Sequence, residues 1–446
     1  MWMDFFCKKK LYMRFLYFII TICFCISCGQ VQTKKDGVFI RNDSIAYKAD
    51  LYLNKLTNLK KFNGVVLLKK GNEILLERTY NLTSDSLSSL YVTRSSQFDL
   101  RSVAKLFAKI SLVKLVEEGK INLNDKLQKY IPDFPKGDII TINHLATNTS
   151  GLPREFSVEN TLSLNPNEIV QLATKEELEF EPGAEERYSN VGFQLLYYII
   201  GKQGGKSYSS FLKSKFFSPL GMVKTGGNFD RDLTHLTNYA YGHYLNENKE
   251  IMCDSIFLQD EVKMGNLHST VSDLSLFLQS LDTLTYRTIV HKGKISHAGG
   301  TRGKRAYVER DFVDDFTIIF LANYDAIPFQ KLVADLQKIL KEETVKFPEK
   351  IERTSIKLDV SILEKYVGEY DFVDAGHLKL KITIENDGLS VYQNGQKAGV
   401  LYPETEHVFF AEFDSDESFE FVKNDMGEYF VLMDFKGARW KGIKVP

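Results

Sequence analysis

The 446-residue chain has no excess of either charge: 57 lysines and arginines stand against 58 aspartates and glutamates. Proteins that bind nucleic acid carry a basic face or tail, so no nucleic-acid partner is expected. Cysteine is scarce and badly placed for cross-linking. Of the five, Cys7, Cys23, Cys25 and Cys28 all fall near the start, and Cys253 stands alone beyond them. No disulfide framework is available, and stability must come from apolar burial. The eight histidines are scattered from His144 to His407 without His-Glu-x-x-His spacing, so no metal and no cofactor is expected. No unit of roughly 20 to 50 residues repeats, which argues against a solenoid or propeller. Long apolar runs are missing too: the run Leu16 to Ile26 falls short of the ~20 residues of a spanning helix.

That short run has a different meaning. Lys8, Lys9, Lys10 and Arg14 precede it and Ser27-Cys28 follows it, the charged, apolar, small-residue order of an export signal. Gly29 to Gly37 is polar and cannot continue a packed core, so residues 1–28 read as a leader and 29–45 as a linker.

Beyond the linker the pattern divides in two. Leu51, Leu53, Leu56 and Leu59 suit an amphipathic helix over about Asp50 to Lys61. Val65 to Leu68 and Ile74 to Leu76 read as strands joined at Gly71-Asn72. Helical patterns dominate the middle, and strands return at Arg305 to Val308 and Phe316 to Leu321, so one sheet is expected to draw strands from both ends of this region. Around Phe347-Pro348-Glu349-Lys350 the pattern changes. Leu378, Leu380, Ile382 and Ile384 alternate with polar residues, Asp387-Gly388 makes a hairpin turn, and Val408 to Phe413, Phe419 to Val422 and Tyr429 to Phe435 continue a meander. The expected fold class is α+β, an antiparallel sheet flanked by helices with an all-helical subdomain, followed by a small C-terminal β-barrel or half-barrel.

The chemistry starts from Ser-x-x-Lys. A helix turns ~100° per residue, so a serine and a lysine three apart lie side by side, and the ammonium helps the hydroxyl lose its proton. The spacing occurs three times, at Ser102/Lys105, Ser111/Lys114 and Ser210/Lys213. Only the first opens a helix that is apolar on nearly every side, from Val103 to Val116, and such a helix is buried. Ser102 is expected in its first turn, where free N–H groups can stabilise an oxyanion.

Further along stand Leu115 to Asp125, Tyr130-Ile131-Pro132, Ile140 to Leu145, Thr149-Ser150-Gly151-Leu152, Tyr188-Ser189-Asn190 after Glu181-Pro182-Gly183, Pro219 to Met222, Leu267 to Leu274, and His297-Ala298-Gly299-Gly300. Together with Ser102 and Lys105 this series resembles the serine β-lactamase and penicillin-binding-protein superfamily, in its class C-like branch, over residues 46–346. The resemblance implies Ser102 as nucleophile, Lys105 as the cation beside it, and Tyr188 as base with a pKa depressed by Lys105. It also implies Asn190 bonding Lys105 or the substrate amide, and an oxyanion hole from the backbone of Ser102 and Gly300, with Gly299 beside them. His297 takes the place of the usual lysine, and a mostly neutral imidazole pulls less on a substrate carboxylate. Lys224-Thr225-Gly226 spells that family's strand motif but follows Pro219 to Met222 directly, so His297 has the better claim. Asn148 and Ala146 stand where the family has histidine and leucine.

Cys25-Ile26-Ser27-Cys28 resembles a lipobox, which implies acylation of Cys28 and a membrane-anchored, exported protein of the bacterial cell envelope. Residues 347–446, with Tyr366-Val367-Gly368-Glu369-Tyr370, look like the lipocalin-like domain of some family members, whose loops are expected to border the active-site mouth. The function implied is a serine hydrolase acting through an acyl-enzyme on a small-molecule or peptide ester or amide. The rivals are a catalytically silent lipoprotein that binds a cell-wall or glycan fragment, and a true β-lactamase.

Overall fold

The protein is described from a computed structural model, which covers residues 39–40, 44–157, 165–227, 236–254, 265–375, 377–413, 415–435 and 438–445. The leader and Cys28 lie outside the described residues. The expected linker 29–45 is corrected at its far end. Strand β1 (Phe39–Ile40) pairs antiparallel with a later strand, and helix α1 (Ser44–Asn58) begins several residues before the expected Asp50. Its buried Ala46, Ala49, Tyr52, Leu53 and Leu56 fall at helical spacing, so burial extends the element upstream of the leucine stripe.

One sheet of six strands organises the larger body. β2 (Gly64–Lys70) and β3 (Glu73–Tyr80) come from the N-terminal side. β9 (Lys294–Thr301), β10 (Lys304–Asp311) and β11 (Phe316–Ala322) come from the far end, in the order β1-β3-β2-β11-β10-β9. The sheet therefore joins chain segments more than 200 residues apart, as Val65 opposite Leu321 shows. Alternate residues of the central strands enter two different cores. Val65, Leu67, Ile319 and Leu321 face a helical layer, and Val66, Leu68, Ile318 and Phe320 face α1 and α8 (Phe329–Leu340). Both faces being covered explains why these strands read as unbroken apolar runs.

The helical layer holds α2 (Ala104–Glu117), α3 (Ile142–Ala146), α4 (Pro166–Ala173), α5 (Asn190–Gln203), α6 (Tyr208–Leu212) and α7 (Val271–Gln279). Helix α2 is buried nearly all round, and Phe107 stacks on Phe277 of α7 with ring centroids 4.0 Å apart. A small three-stranded sheet, β4 (Phe98–Asp99), β5 (Gly226–Gly227) and β8 (Leu267–Ser269), leads into α2. A hairpin, β6 (His243–Leu245) and β7 (Ile251–Cys253), bonds through His243 N to Gly303 O of the β9–β10 turn and Asn323 O just past β11.

The C-terminal strands close fully. β12 (Gly368–Phe372), β13 (Leu378–Glu385), β14 (Gly388–Gln393), β15 (Gln396–Pro403), β16 (Val408–Phe410), β17 (Ser418–Lys423), β18 (Tyr429–Phe435) and β19 (Ala438–Val445) form an eight-stranded barrel sealed by β12 against β19. Closure leaves no sheet edge. Tyr366, Tyr370, Phe372, Phe409 and Phe421 pack the interior as a separate core. Among the described residues no helix is long and apolar enough to cross a membrane.

Candidate active site

The nucleophile turn follows from β4. Leu100 N donates to Leu267 O of β8, which carries the chain to a 3₁₀ turn over Arg101–Val103 before α2 begins. Ser102 thus sits in the turn just ahead of α2, a small correction to the expected first helical turn. Lys105 follows one turn on, almost wholly buried, and its Nζ donates to Ser102 Oγ at 3.4 Å. The other two Ser-x-x-Lys spacings are structural: Ser111 Oγ donates to Phe107 O inside α2, and Ser210 belongs to the cap of α6.

Tyr188 arrives from a distant segment. Ser189 caps α5, accepting from Gly192 N at 2.9 Å and donating to Pro153 O at 2.8 Å, while Asn148 Oδ1 accepts from Ser189 N at 3.2 Å. With its neighbour held on three sides, Tyr188 puts its hydroxyl 2.6 Å from Ser102 Oγ. Hydroxyl, amine and phenol, 86 residues apart in sequence at the extremes, meet at one point.

Two expected details are corrected. The Tyr188 pKa is raised, not depressed. Burial is the main cause, Glu155 adds to it, and the hydrogen bond from Ser102 and the charge of Arg154 oppose it. Lys105 Nζ sits over the ring, 4.9 Å from the centroid, and over Phe193 at 5.3 Å. There its charge meets the π face. Of the two partners expected for Asn190, Lys105 or the substrate amide, the first is not the bond made: its Nδ2 donates to Glu155 Oε1 at 2.5 Å. Glu155 and Arg154 were not anticipated from sequence, since nothing distinguishes them among the charged loop residues after Thr149-Ser150-Gly151-Leu152. Arg154 also lies over the Tyr188 ring, 5.2 Å from its centroid.

The facing wall is β9. Gly299 packs against the nucleophile turn so closely that a Cβ there would run into Leu100 O and come within 3.0 Å of Ser102 N. Only glycine fits. Gly300 comes next on the same strand, opposite Arg305 of β10. His297 Nδ1 donates to Ala298 O at 2.8 Å, which leaves Nε2 as an acceptor. Its pKa falls to about 4, chiefly through burial, with Lys109 and Lys105 pushing the same way. Lys224-Thr225-Gly226 lies elsewhere: Thr225 Oγ1 bonds Asp273 Oδ2 and Ser269, and Gly226 pairs with β8.

Ser102, Lys105, Tyr188, Asn190, His297, Gly299 and Gly300 all line one cleft of about 730 Å³. Its remaining charged lining is Arg101, Arg154, Glu155 and Arg305, and among the described residues none of the barrel contributes, against the expectation that barrel loops border the mouth. The sequence model of the Beta-lactamase family matches residues 56–313, more than half of the chain and all of the cleft but Phe329. The chain belongs to the beta-lactamase family. Penicillin-binding protein 4* of Bacillus subtilis (strain 168) is 28% identical over 426 residues, covering 84% of this chain and 93% of that protein. Among solved structures, the octameric penicillin-binding protein homologue from Pyrococcus abyssi has TM-score 0.59 at 20% identity, over 90% of this chain and 100% of its own. D-amino acid amidase from Ochrobactrum anthropi SV3, complexed with L-phenylalanine amide, has TM-score 0.57 at 21% identity, over 66% of this chain and 99% of its own. This beta-lactamase-family chain therefore shares the fold of both, and its organisation is that of a serine hydrolase.

Proposed function

We propose that the protein is a serine hydrolase of the esterase or D-amino-acid peptidase type. The observation that carries this reading is the contact of Ser102 Oγ with Tyr188 at 2.6 Å and Lys105 at 3.4 Å in an open cleft. Ser102 Oγ attacks the substrate carbonyl and passes its proton to the Tyr188 oxygen. The phenol then gives that proton to the departing nitrogen or oxygen, leaving an acyl group on Ser102. Water enters and attacks the acyl carbonyl as Tyr188 takes its proton, and Tyr188 returns that proton to Ser102 Oγ as the acid is released. Lys105 stabilises the phenolate through its ring, and the backbone N–H groups of Ser102 and Gly300 stabilise the oxyanion. Loss of one such donor typically costs ~3 kcal/mol of barrier.

His297 weighs on substrate class. A neutral imidazole with Nε2 accepting offers no fixed positive charge at the cleft-lining position of His297, which supports an amide or ester over a β-lactam carboxylate. The D-amino acid amidase likeness supports the amide arm. Labelling by a fluorescent fluorophosphonate that vanishes in Ser102→Ala, with slow nitrocefin turnover, is the expected result. Absence of labelling in the intact protein would refute the reading, and rapid nitrocefin turnover would move it to a true β-lactamase. The lipobox-like end further supports export and acylation at Cys28, expected as incorporation of an alkyne-tagged fatty acid that Cys28→Ala abolishes.

A further inference from the structure

Arg101, the residue immediately before the nucleophile, adopts φ +48°, a left-handed conformation that glycine takes freely and a Cβ-bearing residue resists. Something must hold it there. The Asp99 carboxylate does so from both ends. Its Oδ1 accepts from the Arg101 backbone N at 3.1 Å, and its Oδ2 lies 3.1 Å from Arg101 Nε. Asp99 is itself fixed. It is a strand residue of β4 opposite His268 and is buried, with Lys304 Nζ 3.5 Å away. Lys304 is equally buried, and its Nζ also donates to Tyr239 OH at 3.0 Å.

Lys304 opens β10 just past the β9–β10 turn, so this chain of contacts runs from the turn that ends the Gly299-Gly300 strand to the turn that carries Ser102. The two meet again at Gly299 against Ser102 N. A buried ion pair is weak evidence for stability, because desolvation offsets the attraction, but it can fix one geometry among several. Here the geometry fixed is a strained dihedral next to the reacting oxygen.

We infer that Asp99, braced by Lys304, is a positioning device that holds Arg101 in its left-handed conformation and thereby aims Ser102 Oγ at Tyr188. The inference rests on the hydrolase reading for its consequence in catalysis, and on the backbone geometry alone for its consequence in stability.

The test compares Arg101→Ala with Arg101→Gly in the full chain. Alanine loses the side-chain half of the grip on Asp99, keeping the backbone N–H bond to Oδ1 and the Cβ that resists φ +48°, whereas glycine loses the same half and the resistance together. Fluorophosphonate labelling of Ser102 is expected to be about tenfold slower in R101A than in R101G, the rate equivalent of left-handed strain, and R101A is expected to melt at the lower temperature. Equal labelling rates would overturn the inference, whether or not the melting temperatures differ, because a difference in melting alone means a structural role only. If instead Arg101 binds substrate through its guanidinium, both variants lose equally, and KM for carboxylate-bearing esters rises more than for neutral ones, which also overturns it. If the wild-type protein takes no label, the hydrolase reading fails. The melting comparison then decides the brace, equal melting temperatures overturning it.

Discussion

At Tyr188, burial favours the neutral phenol while the Ser102 hydrogen bond and Arg154 favour the phenolate, and burial prevails. A base with a pKa above the ordinary tyrosine value is populated as phenolate only in small amount at neutral pH. The kcat/KM of an activated ester is therefore expected to climb about tenfold per pH unit from neutrality into the alkaline range. A plateau by pH 7 would assign the proton to Lys105 instead. Tyr188→Phe, which leaves the ring and its cation contacts in place, is expected to lower kcat by roughly 10²–10⁴-fold. His297 bears on stability with the opposite dependence. An unfolded histidine titrates near 6.5 and this one near 4. Between those values the unfolded chain binds a proton that the native state refuses, so stability falls as pH drops from about 6.5 to about 4. His297→Gln is expected to remove that part of the acid sensitivity, as read from urea midpoints across that interval. A midpoint slope equal in both proteins would refute it. Ser102, Lys105 and Tyr188 were legible in the sequence because each sits inside a fixed spacing. Glu155, which takes Asn190 away from Lys105, was not, because a single loop carboxylate has no spacing to betray it.

Among the elements, α2 carries the site and depends on its aromatic packing. Phe107 is buried between Phe216, Phe217 and Phe277, two edge-on and one stacked. Phe107→Ala would leave a cavity under the nucleophile turn, at an expected cost of about 3–5 kcal/mol in denaturant unfolding. A cost near 1 kcal/mol would mean that α7 collapses into the space. The same helix was readable beforehand because a segment apolar on every side has to be interior. The strands of the sheet were readable as strands for a similar reason, since both faces are covered. The edge strand Phe39–Ile40 was not, because two residues carry no periodicity and pair only once β3 is in place.

Across the whole molecule, the barrel has a core of its own, and the sheet body has its two. A side-chain contact between barrel and body is the ion pair of Lys249 on the β6–β7 hairpin with Glu412 at 2.7 Å, both more than half exposed, and such pairs contribute at most ~1 kcal/mol. Two separable transitions are expected in urea unfolding followed by circular dichroism, one of which disappears on deleting residues 351–446; a single cooperative transition would refute this. Because no described barrel residue lines the cleft, the deleted protein is expected to retain its labelling rate at Ser102. By itself the sequence determined which elements form and which side chains have the right chemistry, since periodicity, turn residues and motif spacing are local properties that a chain carries unfolded. Tertiary structure alone decided which charges face which. Only folding puts Lys105 over the Tyr188 ring, Glu155 against Asn190, and Lys304 against Asp99. Partners of that kind come from segments far apart in the chain, and electrostatic effects depend on distance and burial, which no spacing encodes.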